Sequence, residues 1–172
     1  MRQRLFFALC PDDAFCEELL QRGKPWLRDI NGRQVLRENL HITLAFLGNV
    51  DEIQQACLQK MASGIQIPAF QLKLDRLAYW PGPQIAWAGV SQTPEAFTQL
   101  VTQLQQGAQG CGLQLERRPP VAHLTLKRKV TRAQPGEAIA PLSWSVSEFC
   151  LLSSVTRAEG PVYTQLQSWP LR

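Results

Sequence analysis

Short apolar runs and alternating apolar positions predict a series of strands along this chain. Residues 5–9 form an apolar run that Pro11 ends, which is typical of a buried strand. Further on, Phe70, Leu72 and Leu74 alternate with polar residues, as in a strand with one buried face. The predicted strands are residues 5–9, 40–47, 70–75, 84–90, 113–115, 121–126, 143–155 with a break near Ser147, and 162–166.

Helical spacing of apolar residues predicts three helices, each with a candidate capping residue at its start. The candidate caps are Asp12 or Asp13, Asp51, and Thr93. Pro94 suits the first helical position after Thr93, and the second helix is expected to run to about Ser63. Gly23 and Pro25 are expected to disturb the end of the first helix.

The two halves of the chain resemble each other loosely. Each half holds a helix, a loop and then a strand that contains His-x-Thr-Leu. No linker or low-complexity segment separates them. We therefore predict one α+β domain spanning residues 1–172, with two lobes, two antiparallel sheets and outer helices around a central cleft.

The two His-x-Thr-Leu segments contain the only histidines of the chain, His41 and His123. Side chains two residues apart on a strand share a face, so each histidine is expected beside a threonine, Thr43 or Thr125. The opposite face of the first strand is apolar and is expected to pack beneath a helix. Its residues are Leu40, Ile42, Leu44 and Phe46.

Composition adds little to this pattern. The net charge of +4 would favour a polyanionic partner such as RNA, but the excess of basic residues is modest. Five scattered cysteines, an odd number without a Cys-x-x-Cys, argue against a disulfide framework and against a structural zinc site. No apolar stretch approaches the ~18 residues of a membrane span. We expect a reduced, soluble, cytoplasmic protein.

Two histidines facing one phosphorus can act as base and acid in phosphodiester hydrolysis, because each can hold either protonation state near neutral pH. The hydroxyls of Thr43 and Thr125 could donate to the non-bridging phosphate oxygens. Such chemistry needs no metal or other cofactor. The alternatives are two histidines with structural roles, or a two-histidine metal site, for which the sequence offers no further histidine and no paired cysteines.

These motifs resemble the two-histidine (2H) phosphoesterase superfamily, and within it the bacterial RNA 2′,3′-cyclic phosphodiesterases, the LigT-like group also described as 2′-5′ RNA ligases. The segment from Glu38 to Gly48 is similar to the first motif of that group almost letter for letter. Arg118-Pro119, followed by the His123 motif and Arg128, is similar to the second. The resemblance covers nearly the whole chain.

The resemblance implies an enzyme that opens a terminal 2′,3′-cyclic phosphate on RNA, tRNA fragments among the candidate substrates, and leaves a 2′-phosphate. It implies His41 as proton donor and His123 as proton acceptor, whereas the residues alone do not distinguish them. It also implies that Arg128 binds phosphate. Strict alternation from His123 places Arg128 on the packed face unless the strand ends or bulges, and Lys127 is then the alternative.

Other basic and aromatic residues are candidates for contacts with RNA. The basic residues around the second motif are Arg117, Arg118, Lys129 and Arg132, and the candidate stacking residues are Trp80, Trp144 and Tyr163. We expect a monomer. The alternative functions are a phosphodiesterase for small cyclic nucleotides or 2′-5′-linked oligonucleotides, and a module that binds RNA ends without cleaving them.

Overall fold

The structure, a computed structural model, describes residues 1–116 and 120–172. Within these ranges the chain forms three α-helices, one short 3₁₀ helix and nine β-strands. The helices are α1 (Asp13–Arg28), α2 (Glu52–Ser63) and α3 (Glu95–Gly110), and the 3₁₀ helix is Arg37–Asn39. The strands are β1 (Gln3–Leu9), β2 (Arg33–Gln34), β3 (Ile42–Val50), β4 (Phe70–Trp80), β5 (Ile85–Gly89), β6 (His123–Arg128), β7 (Glu137–Val146), β8 (Glu148–Arg157) and β9 (Gly160–Pro170).

The strands pair in the order β7-β4-β5-β6-β3-β1-β8-β9, and the short β2 pairs with β6. Each pairing between them is antiparallel. The first lobe, made of β1, β3, β8 and β9, meets the second lobe, made of β2 and β4 to β7, at the pair Ile42 and Leu124. The predicted α+β class is confirmed. The predicted two sheets are joined at this pair into one continuous sheet.

Two of the three predicted helix starts are capped as expected. The Asp12 carboxylate accepts a hydrogen bond from the Phe15 backbone, and Asp51 forms a reciprocal capping box with Gln54. The prediction for Thr93 is wrong, because α3 begins at Glu95 without a side-chain cap. The first helix continues past Gly23 and Pro25 to Arg28, and its last turn is anchored by the buried side chains of Trp26 and Leu27.

Most predicted strand boundaries hold to within four residues, but β4 ends five residues later than predicted, β7 begins six residues earlier, and β2 was not predicted. The break near Ser147 separates β7 from β8 as predicted. Residues 113–115 form no strand. Instead, the Leu113 amide donates to the Ala108 carbonyl at the end of α3, and the Leu113 side chain is buried. The segment predicted as a strand therefore closes the helix instead.

Two of the five cysteines are not reduced, contrary to the prediction. Cys57 on α2 and Cys111 at the end of α3 form a disulfide, with their Cα atoms 5.8 Å apart. The remaining three are free, and the Sγ atoms of Cys10 and Cys150 lie 3.2 Å apart. The spacing of cysteines along the chain gave no sign of a pairing across 54 residues.

In the ranges described, no helix is both long and apolar enough to cross a membrane.

Candidate active site

The pairing of β3 with β6 brings both histidine motifs to one place. Ile42 and Leu124 are directly opposite each other, and both side chains are fully buried in the core. Because side chains alternate along a strand, the residues on either side of each of these two point to the opposite face. Those residues are His41, Thr43, His123 and Thr125. All four line one cavity of about 540 Å³, which we call the histidine cavity.

A backbone carbonyl two residues earlier holds each imidazole. Nδ1 of His41 lies 2.7 Å from the carbonyl oxygen of Asn39, and Nδ1 of His123 lies 2.9 Å from that of Val121. A carbonyl can only accept, so Nδ1 carries the proton in both neutral rings. Nε2 is then free to take up a proton from a reacting group. In His41 this nitrogen is 3.0 Å from the Thr43 hydroxyl, which donates to it.

Both imidazoles are harder to protonate than free histidine. The pKa of His41 is lowered to about 4, mainly by burial, which the hydrogen bond to Asn39 opposes and to which the charges of Arg128 and His123 add. Burial is also the main cause of the lowered pKa of His123, to which Arg128 contributes. At neutral pH both rings are therefore neutral.

Aromatic rings surround each histidine. Phe6 and Tyr163 pack around His41, with ring centroids 5.1 Å and 5.2 Å from the imidazole. On the other side, Trp80 lies 4.7 Å from the His123 ring. Trp80 lines the histidine cavity and Tyr163 lines cavities beside it, so both lie where a base could stack. By contrast, Trp144 packs on Phe15, with ring centroids 5.3 Å apart, and is absent from the lining of these cavities.

A register shift in β6 places Arg128 in the cavity. Trp87 of β5 pairs with Thr125, but the preceding Ala86 pairs with Lys127, so Leu126 is an extra residue on β6. Such a bulge reverses the alternation beyond it. Arg128 therefore lies on the same side as the histidines and lines the histidine cavity.

The alternative that Lys127 binds phosphate is wrong. Its ammonium group donates to the carbonyl oxygens of Leu27 and Ile30, at 2.8 Å and 2.9 Å, and so satisfies the carboxyl end of α1.

The first motif strand has the same irregularity, and sequence reasoning missed its consequence. Phe7 of β1 pairs with Ala45, and the next residue, Ala8, pairs with Thr43, so Leu44 is the extra residue on β3. The prediction that Phe46 packs in the core is wrong. Its side chain is 65% exposed and lines the histidine cavity. Phe46 and Arg128 each follow their histidine by five residues, a correspondence that strict alternation obscures.

Of the four residues in the predicted basic cluster around the second motif, the structure describes Lys129 and Arg132. Arg117 and Arg118 lie outside the described residues. The Arg132 backbone is bound by the Asn31 side chain at 2.9 Å, within the loop that follows β6. Of these two described residues, Lys129 lines a cavity that shares Arg128 with the histidine cavity, and Arg132 does not. Among the residues described, no three histidine, cysteine, aspartate or glutamate side chains come together in a group that could hold a metal ion.

Comparison with known proteins agrees with the motifs. A family model described as the 2′-5′ RNA ligase superfamily matches residues 11–157. A relative from Escherichia coli strain K12, named RNA 2′,3′-cyclic phosphodiesterase, is 34% identical over 98% of this chain and 97% of its own length. A relative of the same name from Archaeoglobus fulgidus is 30% identical over 95% of this chain and 98% of its own.

Solved structures show the same likeness in three dimensions. The crystal structure of E. coli LigT complexed with 3′-AMP matches with a TM-score of 0.93 at 32% identity, and covers 99% of each chain. E. coli LigT complexed with phosphate matches with a TM-score of 0.84 at 32% identity, over 99% of this chain and 98% of the other.

Proposed function

The chain belongs to the 2′-5′ RNA ligase superfamily, and from this membership we propose that it hydrolyses RNA-terminal 2′,3′-cyclic phosphate to a 2′-phosphate. The relatives named RNA 2′,3′-cyclic phosphodiesterase support the reaction and the RNA substrate. Residues 1–172 act as one bilobal domain whose lobes contribute one histidine each.

One observation carries the proposal. The buried pair Ile42 and Leu124 directs a histidine and a threonine from each lobe into the same cavity. A pair of structural histidines would not require matching hydroxyls beside them. Two proton-transfer groups and two hydroxyl donors around one space match the requirements of phosphodiester hydrolysis.

In the proposed mechanism, a water oxygen attacks the phosphorus opposite the P–O3′ bond. Nε2 of His123 takes the water proton, which is consistent with its lack of any hydrogen-bond partner among the described residues. Nε2 of His41 gives a proton to O3′ as the P–O3′ bond breaks, which leaves a 3′-hydroxyl and a 2′-phosphate. Arg128, Thr43 and Thr125 donate to the non-bridging oxygens as charge develops on them.

His41 must be protonated for this step, although burial lowers its pKa to about 4. A bound phosphodiester is an anion, and a nearby negative charge favours the imidazolium form. Substrate binding therefore raises the pKa of His41 and charges the acid only when the substrate is present. If the 5′-hydroxyl of a second RNA replaces water as the nucleophile, the same cleavage of the P–O3′ bond gives a 2′-5′ phosphodiester and a free 3′-hydroxyl, and we expect this joining reaction at high RNA concentration.

The test uses an RNA oligonucleotide that ends in a 2′,3′-cyclic phosphate, in buffer with excess chelator. We expect many turnovers, a 2′-phosphate product, and losses of about 10³-fold or more in kcat for His41→Ala and His123→Ala. The Thr43→Val and Thr125→Val variants serve as milder controls that keep both imidazoles. Full activity in either histidine variant would refute the proposal.

The alternative substrates are small cyclic nucleotides and 2′-5′-linked oligonucleotides, which the same cavity could process. Turnover of a mononucleoside cyclic phosphate equal to that of RNA would favour the first. A non-catalytic RNA-end-binding role predicts binding without product, and accumulation of product over several turnovers excludes it.

We further propose that the protein is a cytoplasmic monomer, in keeping with a substrate made during RNA processing.

A further inference from the structure

The histidine cavity continues into a basic groove on the side of Tyr163. A second cavity, of about 300 Å³, shares His41, Phe46 and Arg128 with the histidine cavity. A third, of about 310 Å³, shares Arg128 and Tyr163 with the second and reaches the turn between β8 and β9. We call the second and third cavities together the hairpin groove. The reaction centre thus opens onto a path that leads away from it.

The hairpin groove is strongly positive. Of the described side chains that line it, five are cationic and one is acidic, Glu159. The cations are Arg4, Arg33, Arg128, Lys129 and Arg157. None of them takes part in the ion pairs found among the described residues. Arg33 donates to the Glu159 carbonyl and so supports the hairpin, which leaves the other four exposed to a ligand.

The rest of the histidine cavity has the opposite character. Apart from the two histidine motifs and Arg128, the described side chains that line it are uncharged, and all but Gln105 are apolar. They include Trp80, Pro83, Ile85 and Val121. A nucleobase fits this apolar part, whereas a phosphate would lose its hydration there without gaining a partner.

An exposed aromatic ring stands where the groove begins. Phe46 is 65% exposed and lines both the histidine cavity and the hairpin groove. Exposed rings alternating with cations are typical of proteins that bind single-stranded nucleic acid, in which bases stack on the rings and phosphates lie against the cations. A small nucleotide would use neither the ring nor the cations beyond it.

We propose that the hairpin groove binds the RNA strand on the 5′ side of the terminal nucleotide. The terminal base occupies the apolar part, the cyclic phosphate lies between the histidines, and the penultimate base stacks on Phe46. The preceding phosphates follow Arg4 and Arg157 toward the β8–β9 turn. This inference rests on the proposed function and narrows its substrate to an RNA strand rather than a mononucleotide.

The test compares two substrates in one double variant, Arg4→Gln with Arg157→Gln. Both side chains are exposed, and neither touches a histidine in the described structure. The matched control, Lys60→Gln with Lys73→Gln, removes the same charge from exposed sites outside the groove. The substrates are a ten-nucleotide RNA with a 2′,3′-cyclic end and a mononucleoside 2′,3′-cyclic phosphate.

The groove variant should lose roughly tenfold in kcat/KM on the RNA and stay within about twofold on the mononucleotide. Its plot of log kcat/KM against log salt should be less steep than that of the unmodified protein by about 1.4, since each lost contact to a single strand contributes about 0.7. An unchanged RNA rate, equal losses on both substrates, or the same loss in the control would overturn the inference.

Binding separates this inference from the proposed function. Fluorescence anisotropy of a labelled RNA that ends in a 2′-phosphate needs no turnover. Weaker binding by the groove variant alone would support the groove even if the unmodified protein cleaved neither substrate, a result that would refute only the proposed reaction. Equal binding by both double variants would refute the groove.

Discussion

Removing the charge of Lys127 should lower stability and leave activity nearly unchanged, whereas removing the charge of its neighbour Arg128 should lower activity and leave stability nearly unchanged. The Lys127→Met variant keeps most of the side-chain volume but loses two charged hydrogen bonds, to Leu27 and Ile30. Hydrogen bonds to charged groups contribute about 1.5–3 kcal/mol each. Lys127 is partly exposed, which reduces this value. We therefore expect the free energy of unfolding to fall by about 2–4 kcal/mol.

For a chain of 172 residues, that loss corresponds to a melting temperature lower by roughly 5–15 °C. Because the Lys127 ammonium lies against α1 and not in the histidine cavity, kcat/KM at 25 °C should stay within about twofold of the original. Thermal and urea unfolding, followed by circular dichroism, measure the first effect. Initial rates on the cyclic-phosphate RNA measure the second.

The Arg128→Met variant should show the reverse. Its exposed side chain makes no hydrogen bond within the described residues, so the free energy of unfolding should change by less than about 0.5 kcal/mol. Loss of a cation that stabilises developing phosphate charge should lower kcat/KM by about 10²–10³-fold. Lys73→Met, an exposed site on β4, is the control for removing one charge. If Lys127→Met lost activity and kept its stability, the bulge at Leu126 would not explain the site.

Three further perturbations have directions set by the structure. Acidification from pH 6.5 toward 4 should lower the free energy of unfolding. In this range His41 takes up a proton in the unfolded chain, where its pKa is near 6.5, but not in the folded protein, where burial lowers the pKa to about 4. Stability that does not change with pH in this range, measured by urea unfolding, would contradict the burial of His41. Cys111→Ser should cost up to about 4 kcal/mol, the loop-closure value for 54 residues, and reductant should then destabilise only the unmodified protein. Gly89→Ala should lower kcat/KM by about tenfold or more, because a Cβ at this position would lie 2.3 Å from the Trp87 ring, which packs near His123. An unchanged rate would show that the Trp87 ring can move without disturbing His123.

The sequence was sufficient for most of the fold because its signals are local. Capping by Asp12 and Asp51 and the alternation in β4 depend on residues within a few positions of each other. The same holds for the placement of His41 beside Thr43 and of His123 beside Thr125, which follows from the strand period. The cavity that joins them was inferred from the repeated motif, and the structure places all four residues along its wall.

The errors arose where distant strands decide the outcome. The bulge at Leu44 depends on how β1 pairs with β3, and that at Leu126 on how β5 pairs with β6, so periodicity within one strand cannot reveal either. For this reason, periodicity alone predicts Phe46 in the core and does not decide on which face of β6 Arg128 lies. The Cys57–Cys111 disulfide was missed for a related reason, because it depends on how α2 and α3 pack together.

Antiparallel pairing about Ile42 and Leu124 gives the centre of the sheet a local two-fold axis, which relates one histidine–threonine pair to the other. Groups related by such an axis are equivalent, so the axis alone cannot decide which imidazole gives a proton and which receives one. The symmetry is broken five residues after each histidine, where one strand presents the phenyl ring of Phe46 and the other the guanidinium of Arg128. We therefore expect these two unlike side chains, together with the Thr43 hydroxyl bonded to His41, to contribute to the direction of the proposed reaction across the cavity.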